Sequence, residues 1–229
     1  MTEKNFQKSF IVYFIIFGIL IASSGMAINY YLQLKEINKT LNKKAKEILQ
    51  IKNEDILKNA ITNIDNTLKS LSSNQVIHEY ITSHGLNNEN ESKQIFLAIA
   101  SSNNAIMQAR FIDENGFELI RVNRDATNEE AYIIESSKLQ NKKDRDYFKT
   151  LSTKNKNEIW HSKIDLNIEN GQIEVPYKPT FRVGTPVFNE DKFQGIIIIN
   201  ILMNDLLKIV GNSTIFEHYI IDKNLNYIL

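Results

Sequence analysis

The 229-residue sequence contains no cysteine at all, which excludes disulfides, thiolate metal sites and cysteine nucleophiles and leaves the redox compartment undetermined. An exported domain of this size can bury enough core to stand without disulfides. Net charge is also missing: Lys and Arg equal Asp and Glu at 27 each, so no overall field favours nucleic acid or an acidic partner. Proline is scarce, with three residues, and glycine counts only eight. Their distribution is informative, because neither occurs between Gly25 and Gly85. That stretch consists mostly of good helix formers and predicts one or two long helices. Recognised catalytic signatures are lacking too. There is no phosphate-cradling glycine loop, helical zinc-type histidine pair, serine elbow or EF-hand spacing, and His78, His84, His161 and His218 stand apart. No catalytic activity, metal or cofactor is expected in this chain.

What is present begins with residues 10–28, FIVYFIIFGILIASSGMAI, an uncharged run. Roughly 19 residues at about 1.5 Å rise nearly cross a 30 Å hydrocarbon core, so the run reads as a membrane-spanning helix after a short amino-terminal tail, 1–9. Gly25 and Ala27 leave a cleaved signal peptide as the alternative, although the apolar run exceeds a usual signal core. Lysines flank both ends (Lys4 and Lys8; Lys35, Lys39, Lys43 and Lys44), so charge alone does not set orientation.

Beyond the anchor, residues 29–84 read as a long stalk helix. Leu34, Ile37, Leu41, Ile48 and Ile51 make one apolar stripe and Leu57, Ile61, Ile64, Leu68 and Leu71 a second, with a phase slip between them. The stripes fit either packing on the following domain or a dimeric coiled coil. After the His84-Gly85-Leu86-Asn87-Asn88 break and a helix near residues 91–101, strand-like runs at 107–112 and 117–122 flank an Asn115-Gly116 turn. Further strands are expected at 159–166, 180–187 and 194–203, with helices at 144–151 and 204–209. Helix first and antiparallel sheet afterwards gives an α+β module. Residues 216–221 and 227–229 repeat the strand, turn, strand pattern, and the chain is expected to be truncated there.

Asp144-Arg145-Asp146-Tyr147-Phe148 places a guanidinium fork beside aromatics at a helix start, an arrangement that holds a carboxylate or merely pairs with its neighbours. Strict alternation puts Phe117, Leu119 and Arg121 on one face, where Arg121 needs a partner such as Glu118 or Asp125. Arg182 and Tyr177 add a cation and a ring, and Trp160 reads as a ring wall or an ordinary core aromatic.

Three stretches, QARFIDENGFELIRVN (108–123), KDRDYF (143–148) and IDLNIENG with VPYKPTFR (164–182) on to Gly195-Ile196, resemble the double Cache (double PDC) sensor domains of bacterial histidine kinases, diguanylate cyclases and chemoreceptors. The resemblance implies a membrane-distal PAS-like module over 85–210 and the truncated start of a membrane-proximal module over 211–229. It also implies an extracytoplasmic (periplasmic or extracellular) sensor on a bacterial plasma membrane, dimerising through its stalk, with a kinase or cyclase effector further on. Arg145, Tyr147 and Phe148 match part of the amino-acid-binding pattern of some members. No aspartate stands beside Tyr177 where the amine-binding acid belongs, so Arg145, Arg121 and Arg182 point to a carboxylate or other small anion. The competing reading is a membrane-tethered coiled-coil module that binds protein; a tethered hydrolase lacks an identifiable base and nucleophile.

Overall fold

A computed structural model describes residues 3–124, 130–169 and 171–221. Two compact units divide near residue 52. In the first, α1 (Glu3–Gln50) is a helix whose described side chains are nearly all exposed, and it carries the one apolar stretch long enough to cross a bilayer among the described residues. Leu34, Ile37 and Leu41 of the first stripe lie exposed. A π-helical stretch, Ile51–Lys58, follows. It falls at the phase slip, as its wider turn re-aims the residues that come after it.

In the second unit, α2 (Asn59–Ser72) buries Ile64, Leu68 and Leu71, so the second stripe is a core stripe. Within the span read as the stalk, 29–84, the helix breaks at Ser73-Asn74. Asn74 caps α3 (Gln75–Thr82), its side chain accepting from the Val76 and Ile77 amides. Helix α4 (Glu89–Ser102) follows the turn at His84, Gly85 and Asn88, which all have positive φ.

The sheet contains β1 (Ile106–Asp113), β2 (Glu118–Arg124), β3 (Ala131–Ile133), β4 (Trp160–His161), β5 (Asp165–Leu166), β8 (Pro179–Asn189) and β9 (Lys192–Leu202). Its order is β3-β2-β1-β9-β8-β4, all antiparallel, with β5 also on β8. A small separate ribbon pairs β6 (Ile168–Glu169) with β7 (Gln172–Ile173). Helices α5 (Asp146–Leu151) and α6 (Asn204–Gly211) complete the elements. The strand expected at 159–166 is thus two short pieces. Of the strand expected at 216–221 the described residues show only a single β-bridge at Ile221, and 227–229 lie outside the described residues.

In the β1–β2 turn the Asp113 side chain accepts from the Asn115 and Phe117 amides, and only Gly116 takes a positive φ, 88°. A Cβ there would sit 2.6 Å from the Lys143 side chain, so the hairpin tip is held against the strand of chain that leads into α5.

The apolar run of β9 is covered on both faces. Ile197 and Ile199 join Ala109, Phe111, Ile120 and Val122 under the helices, while Ile196 and Ile198 meet Tyr147, Phe148 and Leu151 on the opposite face. Such two-sided burial explains why the run lacks polar alternation.

Candidate functional site

The face of the sheet opposite α2 and α4 carries a polar row. Cross-strand register sets Asn123 beside Gln108, Gln108 beside Asn200, and Asn200 beside Arg182. The neighbouring row sets Arg121 beside Arg110 and Arg110 beside Ile198. Strand alternation brings these side chains to one face, where isolated polar residues would be costly to bury. They are buried together instead.

Arg110 is the centre, only 3% exposed. Its guanidinium donates to Asn200 Oδ1 at 2.9 Å, to the Tyr147 hydroxyl at 3.2 Å and to Glu118 Oε1 at 3.4 Å. It also lies 5.4 Å from the centre of the Tyr147 ring. Glu118 accepts from the Gln140 amide and pairs with Arg121 at 3.6 Å. The sequence placed Arg121 with Phe117 and Leu119. A bulge in β2 between its pairings with Phe111 and Ile112 resets the alternation, so Glu118 comes to Arg121 while Leu119 packs against the helix-side core and Phe117 is exposed. Glu118 is thus a partner of Arg121, as expected, and Asp125 lies outside the described residues.

Beside this network opens a pocket of about 280 Å³. Four expected residues meet there: Arg145, Tyr147, Trp160 and Arg182. The Arg145 guanidinium lies 5.9 Å from the Tyr147 ring centre. Among the described residues it has no carboxylate partner, although Asp144 and Asp146 line the same pocket. Arg182 is committed to Asp165, with Asn167 Oδ1 at 3.4 Å as a second acceptor. Lys163 completes a lining of three acids and three bases. At its base a polar recess of about 10 Å³, the room of one water, reaches Gln108, Arg110, Lys142 and Asn200.

Three expected residues lie elsewhere. Phe148 is 4% exposed and packs against Phe193 with ring centres 6.5 Å apart, because consecutive helix residues point about 100° apart and Tyr147 takes the pocket side. Arg121 and Tyr177 line a different cavity. The short strand β4 holds two roles in two residues. Trp160 walls the pocket and also packs on the Phe148 cluster, while His161 stacks on Phe181 and hydrogen-bonds Asp65 of α2 at 2.8 Å.

Sequence reasoning missed Arg110, Glu118's pairing with it, Gln108, Asn200 and the pocket acids. The signal was present: alternation sets Gln108 and Arg110 opposite Ala109 and Phe111, and Asn200 is a lone amide in an apolar run.

The sequence profile of bacterial histidine kinase sensor domains matches residues 41–228. No curated protein sequence matches the chain. Among solved structures, a domain from Vibrio parahaemolyticus classed with sensory box/GGDEF proteins superposes with a TM-score of 0.73 at 22% identity, covering 82% of this chain and 70% of that one. The extracellular domain of a protein classed as a histidine kinase gives 0.68 at 22% identity, over 76% of this chain and 62% of that chain. The ligand-binding domain of the Campylobacter jejuni chemoreceptor Tlp3, solved with L-valine, gives 0.62 at 12% identity, over 84% and 72%. At these identities the likeness is one of fold.

Proposed function

Because the chain belongs to the bacterial histidine kinase sensor-domain family, we propose that it is the extracytoplasmic input region of a membrane receptor and binds a small carboxylate at Arg145. The observation that carries this reading is the Arg145 guanidinium, set against a tyrosine ring in the pocket lining with no carboxylate partner among the described residues. A bidentate Arg–carboxylate contact is the strongest interaction such a group offers. Asp144 and Asp146 in the same lining admit an ammonium group on the same ligand, so amino acids fall within the class, and the 280 Å³ volume restricts it to small metabolites. The Campylobacter chemoreceptor's complex with L-valine is consistent with that class.

The apolar helix α1 serves as a membrane anchor, and its exposed stripe at Leu34, Ile37 and Leu41 forms the dimer contact of the stalk. Output runs through β4. A ligand that moves Trp160 moves His161 and with it Asp65 on α2, which biases two arrangements of the helix without bond chemistry. The effector, a histidine kinase or diguanylate cyclase, acts on the other side of the membrane.

The sequence's single tryptophan, Trp160, sits in the pocket wall and reports binding directly. In the full chain in detergent micelles, small carboxylates and amino acids are titrated against Trp160 fluorescence and melting temperature. A binding compound raises the melting temperature by mass action. Arg145→Ala is expected to weaken that compound at least about thirtyfold, as truncating one partner of a charge pair does. Undiminished binding to Arg145→Ala, or no binding by any of these compounds to folded chain, contradicts the reading.

A further inference from the structure

Two arginines line the Arg145 pocket, and they differ in what they hold. The Arg182 side chain is 5% exposed, and a guanidinium so far from water is tolerated only when paired. Its partner is Asp165, whose side chain is 43% exposed, and Asn167 Oδ1 takes a second N–H at 3.4 Å. Register explains the pairing. Asp165 of β5 stands opposite Thr180 of β8, two residues before Arg182 and on the same face, so Asp165 and Arg182 are diagonal cross-strand neighbours.

Asp165, Arg182 and Arg145 all line the same pocket, and both arginines also reach the small recess at its base. The chain thus supplies its own carboxylate to the arginine that a second ligand carboxylate would seek. With that pair cancelled, Asp144 and Asp146 stand against Arg145 and Lys163, a lining without net charge. One ligand carboxylate meets Arg145. A second adds to an excess of negative charge, which like-charge repulsion disfavours. Lys163 is exposed, where an ion pair contributes little.

We infer that Asp165 is a specificity residue of this site: by neutralising Arg182 it restricts the pocket to ligands with one carboxylate, including amino acids with uncharged side chains, and rejects dicarboxylates. The inference rests on the Arg145 reading and deepens it.

Pairs of equal chain length test it, butyrate against succinate and 2-aminobutyrate against aspartate, titrated into the full chain in detergent micelles with Trp160 fluorescence as the signal. In the wild type the monocarboxylate of each pair is expected to bind at least about tenfold more tightly. Asp165→Asn keeps the shape and an acceptor oxygen but frees the Arg182 charge, and the dicarboxylate should gain at least about tenfold relative to its partner. Adding Arg182→Gln removes the freed charge and should restore the wild-type preference. Equal binding of both members to wild type, or a ratio unmoved in folded Asp165→Asn, overturns the role of Asp165 while the Arg145 site stands, provided Arg145→Ala weakens that binding. Binding indifferent to Arg145→Ala, or no binding of any of the four to folded wild type, overturns the site and this inference together. The wild-type comparison needs no substitution and decides the matter even where Asp165→Asn fails to fold.

Discussion

Replacing Arg110 with methionine is expected to lower the unfolding free energy by about 3–5 kcal/mol, the range for removing one partner of a buried ion pair. The Glu118 side chain is fully buried, and Arg110 supplies one of its two basic partners among the described residues, the other being Arg121 at 3.6 Å. Loss of Arg110 also strands the Asn200 carbonyl oxygen and removes a donor from the Tyr147 hydroxyl. Methionine keeps most of the aliphatic volume, so the cost is electrostatic and not that of a cavity. The double change Arg110→Met with Glu118→Gln should recover a good part of it, because the uncompensated charge is then gone. Urea unfolding followed by Trp160 fluorescence measures both. A single-variant cost below about 1 kcal/mol would show that the network contributes nothing to holding the sheet.

Gly195→Ala is expected to be at least as damaging, at about 3 kcal/mol or more. Gly195 lies in the buried stretch of β9 with φ at 137°, and an added Cβ would fall 2.2 Å from the Ile112 carbonyl oxygen and 2.9 Å from Asp113 Cα. Both obstacles are backbone in the central strand pair, so neither can rotate away. The expected result is a melting temperature lowered by roughly 6–12 °C, at 2–4 °C per kcal/mol for a domain of this size. A shift within a degree would mean that β1 and β9 separate locally at no cost.

Much of the fold was legible because its signals are local. The turn at Asn115-Gly116, the two-sided apolar run of β9 and the helix stripe at Ile64, Leu68 and Leu71 are each written within a dozen residues. The break before α3 was also written locally, in the capping residue Asn74, but a long run of helix formers outweighed it. The site was half legible. Arg145 and Tyr147 stood out by adjacency, and Trp160 and Arg182 joined them in one pocket. The rest depends on pairings that no local pattern encodes: Arg110 meets Asn200 across 90 positions, and one bulged residue in β2 decides that Glu118, and not Leu119, shares a face with Arg121. That register, together with the course of the chain after β7, also sends Arg121 and Tyr177 to a separate cavity.

Signalling requires that the pocket speak to the helix, and the His161–Asp65 bond is the route proposed for it. Hydrogen exchange across residues 59–72, with and without a compound that binds at Arg145, tests this most directly. Occupancy should change exchange in residues 144–168 and also in 59–72, and the second change should disappear in His161→Ala while binding persists. Protection confined to 144–168 in the wild type, with 59–72 unmoved, would contradict a sensor that signals through α2.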